Sequence, residues 1–440
     1  MTRIDRTPNR PTGRRRPEPA APARGAASGR PGRPQPEPPA EKRTPVALVA
    51  VQTLFRAETR EYFFLLGTTV FLLVFGLVMV LSSSAIESRL GSGDFFARAA
   101  RQGLYAAIGL PLMLIAARAP VAFWKRWAGV ALLIGVALQL LVFTNLGTET
   151  GGNRSWLEVG GVSMQPAELI KLGLVLWLPW ILIKRSVDFD DWRRVLVPAG
   201  PVVAVAVGLV LAGKDLGSAS IIIIAVLGVA FFAGVRLRHL ALVVAVLAVG
   251  VAFASTLTLS RRNRIDAWLS GCTDPALLGN ECWQTVHGWE ALAHGGLTGV
   301  GLGNSAGKWS WIPAADNDFI FAIIGEELGL LGCLLVLALF VMLAYCFVRI
   351  VKLVRDPYAK VVTSGVMVWI IGQALVNIAV VLGVLPVLGV PLPLVSSGGS
   401  ALLTTMTAIG VVLSFARKRP HSLADDVPVA RVPRTPRTTR

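Results

Sequence analysis

Asp318-Phe319-Ile320-Phe321-Ala322-Ile323-Ile324-Gly325-Glu326-Glu327-Leu328-Gly329 is the stretch whose reading decides the fold. An apolar run starts at its first aromatic and continues to about residue 348, longer than the roughly 20 residues needed to cross a hydrocarbon core of about 30 Å. Asp318 stands at the mouth of that run. On a helix Glu326 lies about 12 Å further in, at a depth where a carboxylate is costly. Upstream is a long polar segment, 259–318, rich in Gly and Trp, which begins with the basic cluster Arg261-Arg262-Asn263-Arg264. A polar loop between greasy spans, with cations at one end and carboxylates at the other, is where chemistry on a charged substrate would be placed.

The same apolar pattern repeats outward. Runs near 62–84, 102–118, 124–145, 167–183, 195–212, 217–234, 238–258, 319–348, 361–384 and 399–416 predict ten spans. With 54% hydrophobic and only 16% charged residues, and a mean hydropathy of +0.62, the chain is expected to be an all-α polytopic membrane protein. The long extracytoplasmic loop falls between spans seven and eight. The runs are continuous rather than alternating, which disfavours a β-barrel. The formal charge of +17 comes largely from the ends. Residues 1–60 and 418–440 are basic and Pro-rich, cannot bury enough apolar surface to offset ordering entropy, and are predicted to be disordered tails flanking a membrane domain at 61–417. Beside a membrane such arginines are expected to meet anionic lipid, not nucleic acid. The first apolar run starts too late, and is too long, for a cleavable signal peptide.

Lys125-Arg126, Lys184-Arg185, Arg193-Arg194, Arg236, Arg238, Arg349, Lys352, Arg355, Lys360 and Arg417-Lys418-Arg419 all fall on one side if both termini are cytoplasmic, as the positive-inside bias requires. Arg154, Lys214, Arg261, Arg262, Arg264 and Lys308 go against that bias and so invite a functional reading. There is no Walker loop, so ATP is not expected to drive the protein.

Each candidate has two readings. Asp318, with Asp316 beside it, suits either a helix N-cap or a general base or metal ligand at the membrane surface. Glu326, Glu327 and Glu168, with Lys171 one turn from Glu168, read as buried hydrogen-bonded groups fixing helix packing, or as functional intramembrane charges. Arg261, Arg262 and Arg264 either snorkel at a helix end or capture a phosphate or pyrophosphate, for which Arg has the fork geometry; Lys308 and Arg154 could join them. Cys272 and Cys282 share the external loop at a spacing that suits a disulfide. His287 and His294 lie near, but fit no standard zinc pattern. Cys333 and Cys346 read as packing residues. Pro386, Pro391 and Pro393 forbid continuous helix before Ser396-Ser397-Gly398-Gly399-Ser400, so this segment is read as a cavity wall or a tight turn.

Gln165-Pro166-Ala167-Glu168-Leu169, Asp215-Leu216-Gly217, Gly301-Leu302-Gly303-Asn304-Ser305, the Asp318–Gly329 stretch and the Pro386–Ser400 segment together resemble the SEDS family (shape, elongation, division and sporulation). Their order over about residues 60–417 carries the likeness more than any one piece. The resemblance implies a peptidoglycan glycosyltransferase that polymerises lipid II at the outer face of the cytoplasmic membrane, beside a class B penicillin-binding protein and other divisome membrane proteins. It places the family's essential aspartate on Asp318. Gly301–Ser305, the Ala322–Gly325 run and the long tail favour the division branch and a septal location over the elongation branch. There are departures: Ala314, Asp316 and Asn317 stand where the family usually has Glu, His and Thr, Ser155 where it has Arg, Ser397 where it has Tyr, and Lys214 where it has Pro. These bear on the groups around the site more than on the reaction.

The implied mechanism is inverting transfer with Asp318 as base. Arg261, Arg262, Arg264, Lys308 and Arg154 would stabilise the pyrophosphate, with or without a divalent cation (Mg or Mn). Trp156 would stack on a sugar or fix its loop, and Ser396 and Ser397 would line the site. Two rivals remain at this stage. A lipid II flippase would use the intramembrane carboxylates and broken helices for transport. A non-catalytic scaffold would need neither Asp318 nor its neighbours.

Overall fold

Long apolar runs fold as helices because hydrocarbon leaves the backbone no partner but itself, even where Pro111, Pro179, Pro198 and Pro201 lie inside them. The computed structural model describes residues 58–150, 153–184, 192–256, 259–273, 278, 282–309 and 312–417. The tails expected at either end fall on 1–57 and 418–440, outside the described residues. The helices are α1 (Arg60–Ser92), α2 (Ala97–Ala116), α3 (Val121–Leu141), α4 (Pro166–Lys184), α5 (Trp192–Ala212), α6 (Leu216–Phe232) and α7 (Leu237–Thr256). They continue with α8 (Leu259–Leu269), α9 (Trp283–Gly295), α10 (Ile320–Leu353), α11 (Pro357–Val381) and α12 (Gly399–Ala416). Ten of them coincide with the ten expected apolar runs, with ends within about five residues except that α1 runs eight residues past its expected end. By length and composition seven helices (α1–α4 and α10–α12) are able to cross a membrane, and three shorter apolar segments lie in α5, α6 and α7. Phe71, Ile115, Leu133 and Val341 are exposed on these helices, as a lipid-facing surface requires.

The buried core runs through α10, α11 and α12, with Ile323, Phe347, Trp369 and Ile409 fully enclosed. Around it α1 and α2 pack on α10 and α12, and α4 and α6 pack on α11. Two parts of the external region depart from the expected irregular loops. The Trp156 loop is a three-stranded antiparallel sheet, β1 (Gly147–Thr150), β2 (Asn153–Val159) and β3 (Val162–Met164), with Trp156 opposite Thr148. The long loop carries α8 and α9, and Cys272, just past α8, is bridged to Cys282, at the start of α9, with 5.5 Å between their Cα atoms.

α10 is not straight. Gly329 has φ 69° and ψ −165°, so the helix breaks there. A side chain at that glycine would also run into the backbone of Leu297 and Gly299. The break frees backbone groups, and the loop after α9 takes them up. Val300 N–H and Gly301 N–H donate to the carbonyls of Glu326 and Glu327 at 3.0 Å each, while Leu330 N–H donates to Gly296 O at 2.9 Å.

Candidate active site

Asp318 lies in the turn that enters α10. Phe319, not Asp318, occupies the N-cap position, and no side chain caps this helix. The helix-cap reading of Asp318 therefore fails here. Two other aspartates show what capping looks like. Asp215 accepts from Ser218 N–H at 2.9 Å at the start of α6, and Asp356 accepts from Tyr358 N–H at 2.9 Å at the start of α11. By contrast Asp318 Oδ1 is buried with no hydrogen-bond partner among the described residues. Its carboxyl is pushed up to about 7, first by loss of hydration and then by the negative charges of Asp316 and Asp215.

The backbone around Asp318 is held by uncharged polar groups. Asn377 on α11 donates from Nδ2 to the carbonyl of Asp318 at 2.8 Å and to that of Val390 at 2.7 Å. Ser396 Oγ donates to Asn317 O at 2.6 Å and accepts from Leu392 N–H at 2.8 Å. Ser397 N–H donates to Asp316 O at 2.8 Å. Gln102 on α2 donates to Ser396 O at 3.1 Å and accepts from Gly398 N–H at 3.1 Å. The Pro386–Ser400 segment is thus a wall facing the Asp318 turn rather than a free turn. Gly389, at φ 70°, faces the carboxyl: a Cβ there would lie 3.5 Å from Asp318 Oδ2.

The neighbouring carboxylates are committed. Asp316 is paired with Arg98 at 3.2 Å, and Arg98 also bonds Glu87. Asp215 accepts from Gln165 Nε2 at 2.6 Å. Arg98 is 43% exposed in its side chain while Asp316 is 5% exposed. Its guanidinium therefore still presents a face to solvent at the edge of the site. Arg98, Gln102 and Asn377 were not singled out from the sequence, and Gln165 only as part of a family motif. Their signal was there to read: uncharged amides inside apolar spans (Gln102, Asn377), and one cation at an outer helix start.

The other expected residues form separate groups. Glu168 and Lys171 make a fully buried pair at 2.8 Å; Lys171 donates to Gln373 Oε1 at 3.0 Å, and Gln373 in turn holds the Pro391 carbonyl at 2.9 Å. Glu326 gathers Ser305 Oγ, Ala306 N–H at 2.9 Å, Gly307 N–H at 3.2 Å and His294 Nδ1 at 3.1 Å. Glu327 accepts from Ser82 Oγ at 2.6 and 2.7 Å and lies 3.5 Å from Lys308 Nζ. Lys308 is buried and also bonds the Gly303 carbonyl. It serves the α9–α10 connection, which makes it a poor free ligand for phosphate. Arg154 donates to Thr144 O at 2.6 Å within the sheet region, and Trp156 is half-buried on β2. Arg261, Arg262 and Arg264 belong to α8, but their side chains lie outside the described residues. Among the described residues no cluster of three or more His, Cys, Asp or Glu is placed to hold a metal ion.

Fold and site together define a class: a polytopic helical membrane protein with a carboxylate at a helix entrance whose Oδ1 is buried without a partner among the described residues, in a turn held by uncharged polar groups. The chain belongs to the FtsW/RodA/SpoVE family, described as "Cell cycle protein", whose model matches residues 63–421. It is 36% identical over 366 residues to a Mycobacterium tuberculosis protein named "Probable peptidoglycan glycosyltransferase FtsW", covering 83% of this chain and 69% of that one. It is 35% identical over 353 residues to stage V sporulation protein E of Bacillus subtilis, covering 79% and 95%. Among solved structures it resembles a chain from the study titled "Structural coordination of polymerization and crosslinking by a peptidoglycan synthase complex", at TM-score 0.66 and 26% identity, covering 80% of this chain and 96% of that one. The rod shape determining protein RodA of Thermus thermophilus shares the fold at TM-score 0.61 and 24% identity, covering 82% and 98%.

Proposed function

We propose that this protein is a peptidoglycan glycosyltransferase that polymerises lipid II at the outer face of the cytoplasmic membrane during septal wall synthesis. The observation that carries the reading is the Asp318 carboxyl. The residue is half-buried, its Oδ1 is buried without a partner among the described residues, and its pKa is pushed up to about 7. A general base works best with a pKa near the operating pH. Asp318 would accept the proton of the acceptor's GlcNAc 4-hydroxyl as that oxygen attacks the anomeric carbon of the donor's MurNAc. The bond from that carbon to the pyrophosphate breaks on the opposite face, giving inversion, and undecaprenyl pyrophosphate leaves.

Negative charge grows on the leaving pyrophosphate, so preorganised cations lower the barrier. Arg98, paired with Asp316, is one candidate cation, and Arg261, Arg262 and Arg264 are others from α8. An ion held mainly by substrate phosphates would need few protein ligands. The lipid-facing apolar helices suit the polyprenyl chains. A class B penicillin-binding protein is the proposed partner, with the termini in the cytoplasm and the Asp318 pocket outside. A transport reading loses its main support, because Glu168, Glu326 and Glu327 are each tied into packing networks.

The test is polymerisation of lipid II by the purified protein with its class B partner, comparing wild type with Asp318→Ala and checking the variant's fold by co-purification. Glycan strands from wild type and none from the folded variant are expected. Equal strands from both would remove Asp318 from the mechanism.

A further inference from the structure

Two amides, Gln373 and Asn377, stand one turn apart on the same face of α11. Both reach the Pro386–Ser400 wall. Gln373 Nε2 donates to Pro391 O at 2.9 Å, and Asn377 Nδ2 donates to Val390 O at 2.7 Å. A non-helical segment cannot satisfy its own carbonyls, so amides from the neighbouring helix do it. Of the two, Asn377 also reaches the Asp318 turn, donating from the same nitrogen to Asp318 O at 2.8 Å. One NH2 group therefore fastens the turn to the wall. The fastened residue, Val390, is next in the chain to Gly389, the point of the wall that faces the Asp318 carboxyl.

Asn377 is 1% exposed, and its Oδ1 is buried with no hydrogen-bond partner among the described residues. An amide with an unmet acceptor is a costly way to fill a helix interface; Leu would fill the same volume without that cost. What the amide supplies instead is the pair of bonds from Nδ2. Buried to this degree, it acts through Asp318 and not on a substrate.

We propose that Asn377 is a positioning residue for the transfer reaction: by holding the Asp318 and Val390 carbonyls with one amide, it keeps the Asp318 carboxyl against the Gly389 edge of the wall and out of water. The catalytic part of this role rests on the function proposed above; the exclusion of water does not. The charges that act on the carboxyl are Asp316 in the same turn, itself paired with Arg98 of α2 beside Glu87 of α1, and Asp215 at the start of α6. The wall and the second half of α11 carry no ionisable side chain. Loosening the wall therefore changes the hydration of the carboxyl and leaves those charges in place.

The test has two readouts. The first is the pH dependence of kcat/KM for lipid II polymerisation by the purified protein with its class B partner. Asn377→Leu keeps the volume and loses both donors. Its plateau rate should fall about a hundredfold, as for a misplaced reacting group, with the loss in kcat and not in KM. Its apparent pKa should fall from about 7 by about one unit or more, as water returns to the carboxyl. Asn377→Ala should shift the profile in the same direction and covers the case in which leucine packs poorly. The second readout needs no activity. Asp318→Asn should raise the unfolding temperature at pH 8 less in the Asn377→Leu background than in the wild-type background, because the two residues are coupled. A pH profile unshifted in both variants, or an equal gain from Asp318→Asn in the two backgrounds, would overturn the proposal and leave Asn377 as a packing group. If wild type itself makes no strands, the proposed function fails and the unfolding comparison still decides the role of Asn377.

Discussion

The Asp318 carboxyl has an ordinary value of 3.8 and is lifted to about 7 in the folded protein. The sign of the consequence is fixed. The native state holds the proton more tightly than the unfolded state, so ionising Asp318 costs stability. That cost is absent below about 3.8, grows as the pH rises, and is complete above about 7. Asn mimics the neutral form. Asp318→Asn should therefore unfold at a higher temperature than wild type at pH 8, by at most roughly 4 kcal/mol, and the gap should shrink strongly near pH 5. Thermal unfolding in detergent at the two pH values checks this; an equal gap at both would mean the carboxyl is not desolvated. At this scale the sequence showed Asp318 as a candidate but could not separate base from cap. The two roles differ in one hydrogen bond, which is a matter of backbone placement. Arg98 and Asn377 were missed because their partners, Asp316 and the carbonyl of Asp318, are more than fifty residues away in the chain.

Among the elements, most apolar helices were legible to within about five residues because crossing hydrocarbon requires a continuous apolar run; α1, at 33 residues, runs on through polar residues past its expected end. The sheet at 147–164 was not, since its strands are short and polar, and pairing rather than side-chain alternation holds them. Nor was α9, whose polar residues hide its period. The Pro386–Ser400 segment was legible as non-helical, while its anchors were not. One anchor is Gln373, which holds the Pro391 carbonyl and is itself held by Lys171 and by Trp369 Nε1 at 3.1 Å. This chain makes the Glu168–Lys171 pair a support for the site wall. Lys171→Met should strand the Glu168 charge and destabilise the protein by about 3–5 kcal/mol, read as a lower unfolding temperature, whereas Glu168→Gln with Lys171→Met should recover part of that loss. An unfolding temperature unchanged by the single substitution would show that the pair carries no load.

At the scale of the whole molecule, charge decides orientation and the site decides which face must be outside. In the proposed orientation the basic residues at the ends of α4 and α10 lie inside, and the loop from Gly296 to Trp309 lies outside. Leu302 is 55% exposed in that loop, and Cys333 and Cys346 are buried. Leu302→Cys should react with a membrane-impermeant maleimide on intact cells, and Lys352→Cys should react only after the membrane is opened. The reverse pattern would place the Asp318 pocket on the wrong side for a lipid-linked substrate displayed outside.

The central claim is that Asp318 acts as the base in its lifted state. The pH dependence of kcat/KM for lipid II polymerisation, followed from about pH 5.5 to 8.5, reads the free enzyme's base directly. The rate should rise through an apparent pKa of about 7 and level off above it. A rate that is flat down to about pH 5.5 would mean that the working base is an ordinary carboxylate or lies elsewhere.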